Sequence, residues 1–99
     1  EDPREAAGRE LLEETGYRAG RIAYLGEVEP NPAFITNRCF TFVADELERL
    51  GEPEGDGEEE LTVDSVPLAE IPQLVLSGAI RHALVIAAFY LFDHQGRSA

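Results

Sequence analysis

Blocks of interleaved polar and apolar residues, broken by prolines and glycines, divide the chain into helices, strands and loops. Pro3 to about Thr15 predicts a helix. Asp2 is a good N-cap, Pro3 suits the first helical position, and Glu5 stands where the acid of a capping box belongs. Gly16 stops that helix by taking a left-handed C-cap. Arg21 to Val28 reads as a strand. Glu29-Pro30-Asn31-Pro32 reads as a loop, since two prolines so close suit neither a helix nor a central strand. Phe34 to Ala44, rich in Phe, Ile, Thr and Val, predicts a second strand. Asp45 to Leu50 reads as a helical turn, Gly51 to Glu60 as a glycine-rich acidic loop, and Leu61 to Val66 as a third strand. A short helix over Pro67 to Val75 contains Pro72. After Ser77-Gly78, a last helix runs from about Ala79 to Asp93. The alternation is that of a mixed α/β chain with antiparallel strands.

Composition narrows this picture without overturning it. The 99 residues suffice for one small domain. With 43% hydrophobic and 28% charged residues, the chain has an ordinary globular make-up. Its net charge of -12 repels phosphate backbones, which argues against nucleic-acid binding. The excess acid is read either as a solvated surface or as a cluster that holds a cation. The single cysteine, Cys39, cannot form an internal disulfide and fits a reducing, cytoplasmic setting. It lies in an apolar run and reads as a core residue. Ala83 to Phe92 is about half the ~20 residues a bilayer requires, so it reads as a buried helix and not a membrane span. The chain opens at a helix boundary, with no preceding strand or methionine. Sequence upstream is therefore expected.

Candidate chemistry sits on the first helix. At 100° per residue, Glu10, Glu13 and Glu14 fall within an arc of about 100°. Ala7 and Leu11 border that arc and can pack inward. Like charges gathered at the edge of a buried face suggest a divalent cation that cancels their repulsion. Oxygen-only ligands suit Mg²⁺ or Mn²⁺ and argue against zinc. Arg9 lies beside Glu13 on the wheel and can fix its rotamer through a bidentate bond. A run of Arg-Glu-Leu-Leu-Glu-Glu is also a common solvated helix face, and by itself it decides nothing.

The surrounding spacing is more specific. Glu1, seven residues, then Arg9-Glu10-Leu11-Leu12-Glu13-Glu14-Thr15-Gly16-Tyr17 resembles the signature of the Nudix hydrolase family. That signature reads Gly, five residues, Glu, seven residues, Arg-Glu, apolar, any, Glu-Glu, any, Gly, apolar. Each fixed position from its first Glu onward is present, while its leading Gly would lie before Glu1. The resemblance implies an α+β Nudix fold, with a mixed sheet, flanking helices and the N-terminal strands absent from this chain. Residues 1–99 would be one partial Nudix domain. The resemblance makes Glu10, Glu13 and Glu14 metal ligands, with Glu13 and Glu14 holding the catalytic magnesium or manganese. Arg9 orients a glutamate, Glu1 assists a further metal directly or through water, and Gly16 lets the chain turn back. A piece lacking the first strands is expected to expose apolar surface and to be inactive in isolation.

Further cues resemble the ADP-ribose pyrophosphatase branch of the family. They are the Pro30-Asn31-Pro32-Ala33-Phe34 loop, the strand Arg38 to Ala44, the acidic loop, Leu61-Thr62-Val63 and Val66-Pro67-Leu68. In that branch a glutamate of the acidic loop serves as base or metal ligand, and Glu59 fits best by spacing, with Glu58 next; the alternative is a plain hydrophilic loop. Phe34 suits either stacking on a base or ribose or anchoring its strand. Arg38 and Asn37 are candidates to contact phosphate, with a surface strand role equally open for Arg38. His82 reads as a structural helix-start residue, His94 as a favourable charge at a helix end, and Tyr24, Phe40, Phe42, Phe89 and Tyr90 as core. The resemblance implies Mg-dependent hydrolysis of a nucleoside diphosphate linked to another moiety, ADP-ribose or a nucleotide sugar first. It leaves two alternatives: a nucleotide-sensing module without hydrolysis, and a nucleoside triphosphate pyrophosphohydrolase. A homodimer is compatible with it.

Overall fold

A computed structural model describes residues 1–52 and 63–95 of the chain. In order, these form helix α1 (Pro3–Thr15), strands β1 (Tyr17–Val28) and β2 (Cys39–Arg49), a 3₁₀ turn (Leu68–Glu70), and helices α2 (Ile71–Leu76) and α3 (Ala83–His94). The two strands pair with each other. Arg18 meets Glu48, Gly20 lies against Glu46, and the ring of Tyr24 meets that of Phe42. Positions thus rise on one strand as they fall on the other, so the pair is antiparallel and the fold is α+β.

By its own contacts the chain divides into two compact units, Glu1–Tyr24 with Phe42–Asp64, and Leu25–Thr41 with Ser65–Ala99. In the first, α1 forms where its local signals place it. The Asp2 carboxylate accepts a hydrogen bond from the Arg4 amide at 2.9 Å, with Pro3 inside the first turn. At the other end Gly16 takes φ 79°, and its amide donates to the Leu12 carbonyl at 2.9 Å. A side chain is strained in that conformation, which is why glycine occupies the cap. The turn is so tight that β1 begins at the next residue. The Leu50 amide then donates to the Gly16 carbonyl at 2.8 Å, fastening the far end of β2 to the end of α1. Tyr24 and Phe42 face each other across the pair, edge to face, with centroids 5.7 Å apart.

The second unit holds the end of β1, the loop that follows, and α2 and α3. Asn31 closes a turn by accepting from the amides of Phe34 and Ile35 at 3.2 and 3.0 Å. His82 caps α3, its ring Nδ1 accepting from the Leu84 amide at 3.1 Å. At the other end of α3 the His94 ring donates to the Tyr90 carbonyl at 2.8 Å and stacks on the Tyr90 ring.

Several expectations are corrected. Asp45 to Arg49 is strand and not a helical turn. The helix-forming composition of Asp-Glu-Leu-Glu-Arg yields to the ladder offered by the start of β1, because propensity is a weak preference beside pairing. The accommodation shows at Glu46, which takes φ 54° opposite Gly20. Phe34 to Arg38 lies outside β2, because the Asn31 turn commits that backbone elsewhere. Val63 to Val66 forms no strand, and Leu61 and Thr62 lie outside the described residues. The last helix begins at Ala83 and not Ala79, since the Ile80 amide returns to the Leu74 carbonyl and His82 provides the cap. Among the described residues Ile71 is the one buried hydrophobic. Tyr24, Phe40 and Tyr90, read as core, are exposed, as are Leu47, Leu68 and Leu76. Cys39 is half-buried.

Candidate functional site

The acidic face of α1 is organised by Arg9. Its Nε and Nη2 donate to the Glu1 carboxylate, the shortest of these bonds being 3.0 Å. Its Nη1 donates to both oxygens of Glu13 at 3.3 and 3.4 Å, one helical turn on. Glu10 stands 3.9 Å from Nη2. One planar guanidinium therefore hydrogen-bonds two carboxylates through its fixed fork of donors, with a third close by. The hydrogen bond from Arg9 holds the Glu1 carboxyl below its ordinary value, and Glu1 and Glu13 in turn push the Arg9 guanidinium further toward permanent charge. All four side chains keep roughly half their surface in water, so these pairs position charge more than they stabilise the fold.

The structure thus brings Glu1, Arg9 and Glu13 together, with Glu10 at the margin. Glu14 forms no ion pair among the described residues. No group of three acids, cysteines or histidines within them converges tightly enough to hold an ion. The donor chemistry nevertheless fits a hard cation, because the face offers carboxylate oxygens alone. Glu10 and Glu13 keep 59% and 45% of their side-chain surface exposed.

The remaining candidates fall elsewhere. Phe34 lies in the Asn31 turn with 83% of its surface exposed. That corrects its reading as a strand anchor. Arg38 donates to Glu27 at 3.2 Å, an exposed pair at the mouth of the β1–β2 loop. Glu59 and Glu58 lie outside the described residues. His82 serves backbone capping through its ring nitrogen.

Two features escaped sequence reasoning. The Arg9–Glu1 bond spans eight positions, from the residue ahead of the Asp2 cap to one within the helix. Its one available signal was the opposite charge at those positions. The Glu27–Arg38 pair had a clearer one, since the two residues flank the loop of an antiparallel hairpin.

The family model of the NUDIX domain matches residues 1–89. The chain belongs to the Nudix family. It is 34% identical over 88 residues to an ADP-ribose pyrophosphatase of Mycobacterium tuberculosis, covering 88% of this chain and 42% of that protein. It is 31% identical over 88 residues to a GDP-mannose pyrophosphatase of Cronobacter sakazakii, covering 87% of this chain and 46% of the relative. A GDP-mannose pyrophosphatase of Pectobacterium atrosepticum is 30% identical over 86 residues, covering 85% and 45%. The chain spans less than half the length of these curated relatives. Among the described residues no helix is long and apolar enough to cross a membrane.

Proposed function

We propose that the protein carrying this chain hydrolyses a nucleoside diphosphate joined to a further group, by attack of water on a phosphorus of the pyrophosphate. The observation that carries this reading is the α1 face on which Arg9 gathers Glu1 and Glu13 beside Glu10, with Glu14 one position on. Glu10, Glu13 and Glu14 would hold magnesium or manganese, with Glu1 assisting. That cation, when bound, supplies neutralisation of the phosphate oxygens and acidification of the attacking water. Arg9, bonded to both oxygens of Glu13, would limit that carboxylate's rotamers and give it up to the cation. Glu59 of the acidic loop is proposed as base or further ligand, and Phe34 and Arg38 as contacts to the nucleotide. ADP-ribose is the first candidate substrate, supported by the name of the mycobacterial relative. GDP-mannose follows from the other two names.

The test is turnover of the intact protein with Mg²⁺ on ADP-ribose, GDP-mannose and a nucleoside triphosphate. ADP-ribose is expected to give AMP and ribose 5-phosphate. Glu14→Gln is expected to lower turnover about 100-fold or more, the scale of several kcal/mol of lost charge stabilisation. Glu59→Gln with unchanged turnover would remove that residue from the scheme. Wild-type turnover in Glu14→Gln would remove the whole reading.

A further inference from the structure

The other side of α1 carries the opposite sign. All eight basic residues of the chain are arginines. Four of them, Arg4, Arg9, Arg18 and Arg21, line one groove of about 450 Å³ formed by the first half of α1 and the first half of β1. Half of the positive charge of a chain with net charge -12 is thus gathered in one place. A Cβ added at Gly8 would stand 3.0 Å from Ile22 Cδ1, so the helix lies close to the strand there, with Gly8, Ala19, Gly20 and Ile22 lining the groove beside the arginines.

Arg9 and Arg18 are engaged with carboxylates, Glu1 and Glu13 for the first and Glu48 for the second. Arg4 and Arg21 form no ion pair with any carboxylate among the described residues. Among the described residues two guanidinium forks are therefore without a carboxylate partner, and their planar donor geometry matches a phosphate better than a lone charge would. At 100° per residue the helical lining residues Arg4, Glu5, Gly8 and Arg9 centre on the side roughly opposite Glu10. The groove is accordingly separate from the acidic face, and Arg9 alone borders both. Glu5 also lines it and opposes an anion. A ligand with several linked anionic groups can meet more than one arginine at once, which a single anionic group cannot.

We propose that this groove binds a polyphosphate-type anion on the back of α1. The proposal does not depend on the hydrolytic reading above. It is tested by calorimetric titration of the intact protein with inorganic tripolyphosphate, in low salt with a chelator, so that no cation bridges the ligand to the acidic face. Saturable binding that weakens as salt rises is expected. Arg4→Gln and Arg21→Gln should each weaken it about tenfold, the scale of one charge-assisted bond. Glu48→Gln, which releases Arg18, should tighten it several-fold. Arg49→Gln removes the same charge away from the groove and should leave it nearly unchanged. No saturable binding would overturn the proposal. So would an Arg49→Gln loss equal to that of Arg21→Gln, since binding would then follow net charge and not the groove.

Discussion

Replacing Gly16 by alanine tests the joint between the acidic helix and the sheet. Two costs combine there. The residue has φ 79°, a conformation that a Cβ makes unfavourable by roughly 1–2 kcal/mol. The new Cβ would also stand 2.1 Å from the Gly51 carbonyl oxygen and 3.0 Å from its carbon. Both are backbone atoms, so no side chain can swing away and the strand end itself must shift. Forcing a group into filled space costs about 1–3 kcal/mol. Gly16→Ala is therefore expected to destabilise the intact protein by about 2–5 kcal/mol, combining those two ranges. Urea unfolding followed by far-ultraviolet circular dichroism measures it, provided the slope with denaturant stays constant. Gly51→Ala is the control, because a Cβ at that position meets nothing within 4 Å. A Gly16→Ala loss below about 0.5 kcal/mol, the level of an ordinary surface change, would refute the reasoning.

Other substitutions read other parts of the fold. Glu46→Gly relieves a non-glycine residue at φ 54° and should raise stability by about 0.5–1 kcal/mol after the extra chain entropy of glycine, as measured by the shift in unfolding midpoint. Asp2→Ala removes the carboxylate that caps α1 and should cost about 1 kcal/mol in the same assay, with Asp2→Ser restoring most of it. The Glu1 carboxyl is held below its ordinary value of 4.5 by Arg9. Its contribution is full above that value and fades as pH falls through the lower folded value. Titration of the Glu1 side-chain carbon by NMR should show the depression, and Arg9→Gln should return it toward 4.5.

What was legible in the sequence was what is decided locally. The helix α1 could be read to its ends because cap, proline and stop glycine all act within a few residues of their position. The antiparallel pair was legible in outline from its β-branched and aromatic content. Its extent was not, because Asp45 to Arg49 becomes strand through a partner some 30 positions earlier in the chain, as the Arg18–Glu48 pair shows. The exposed aromatic rings escaped for a related reason. Apolarity marks what a residue would gain by burial and not whether a neighbour arrives to cover it. At the candidate site the residue types were readable from their spacing. The Arg9 arrangement was less so, since a long, exposed side chain with several acids in reach can pair with any of them.

The hydrogen bond from the Leu50 amide to the Gly16 carbonyl joins two places that are far apart along the chain. The last turn of α1 and the end of β2 are therefore expected to open together. Amides at that junction should share one slow exchange rate with solvent, while those near Asp2 exchange on their own. Glu13 and Glu14 belong to the turn of α1 that this bond fastens, and Glu1 lies before its other end.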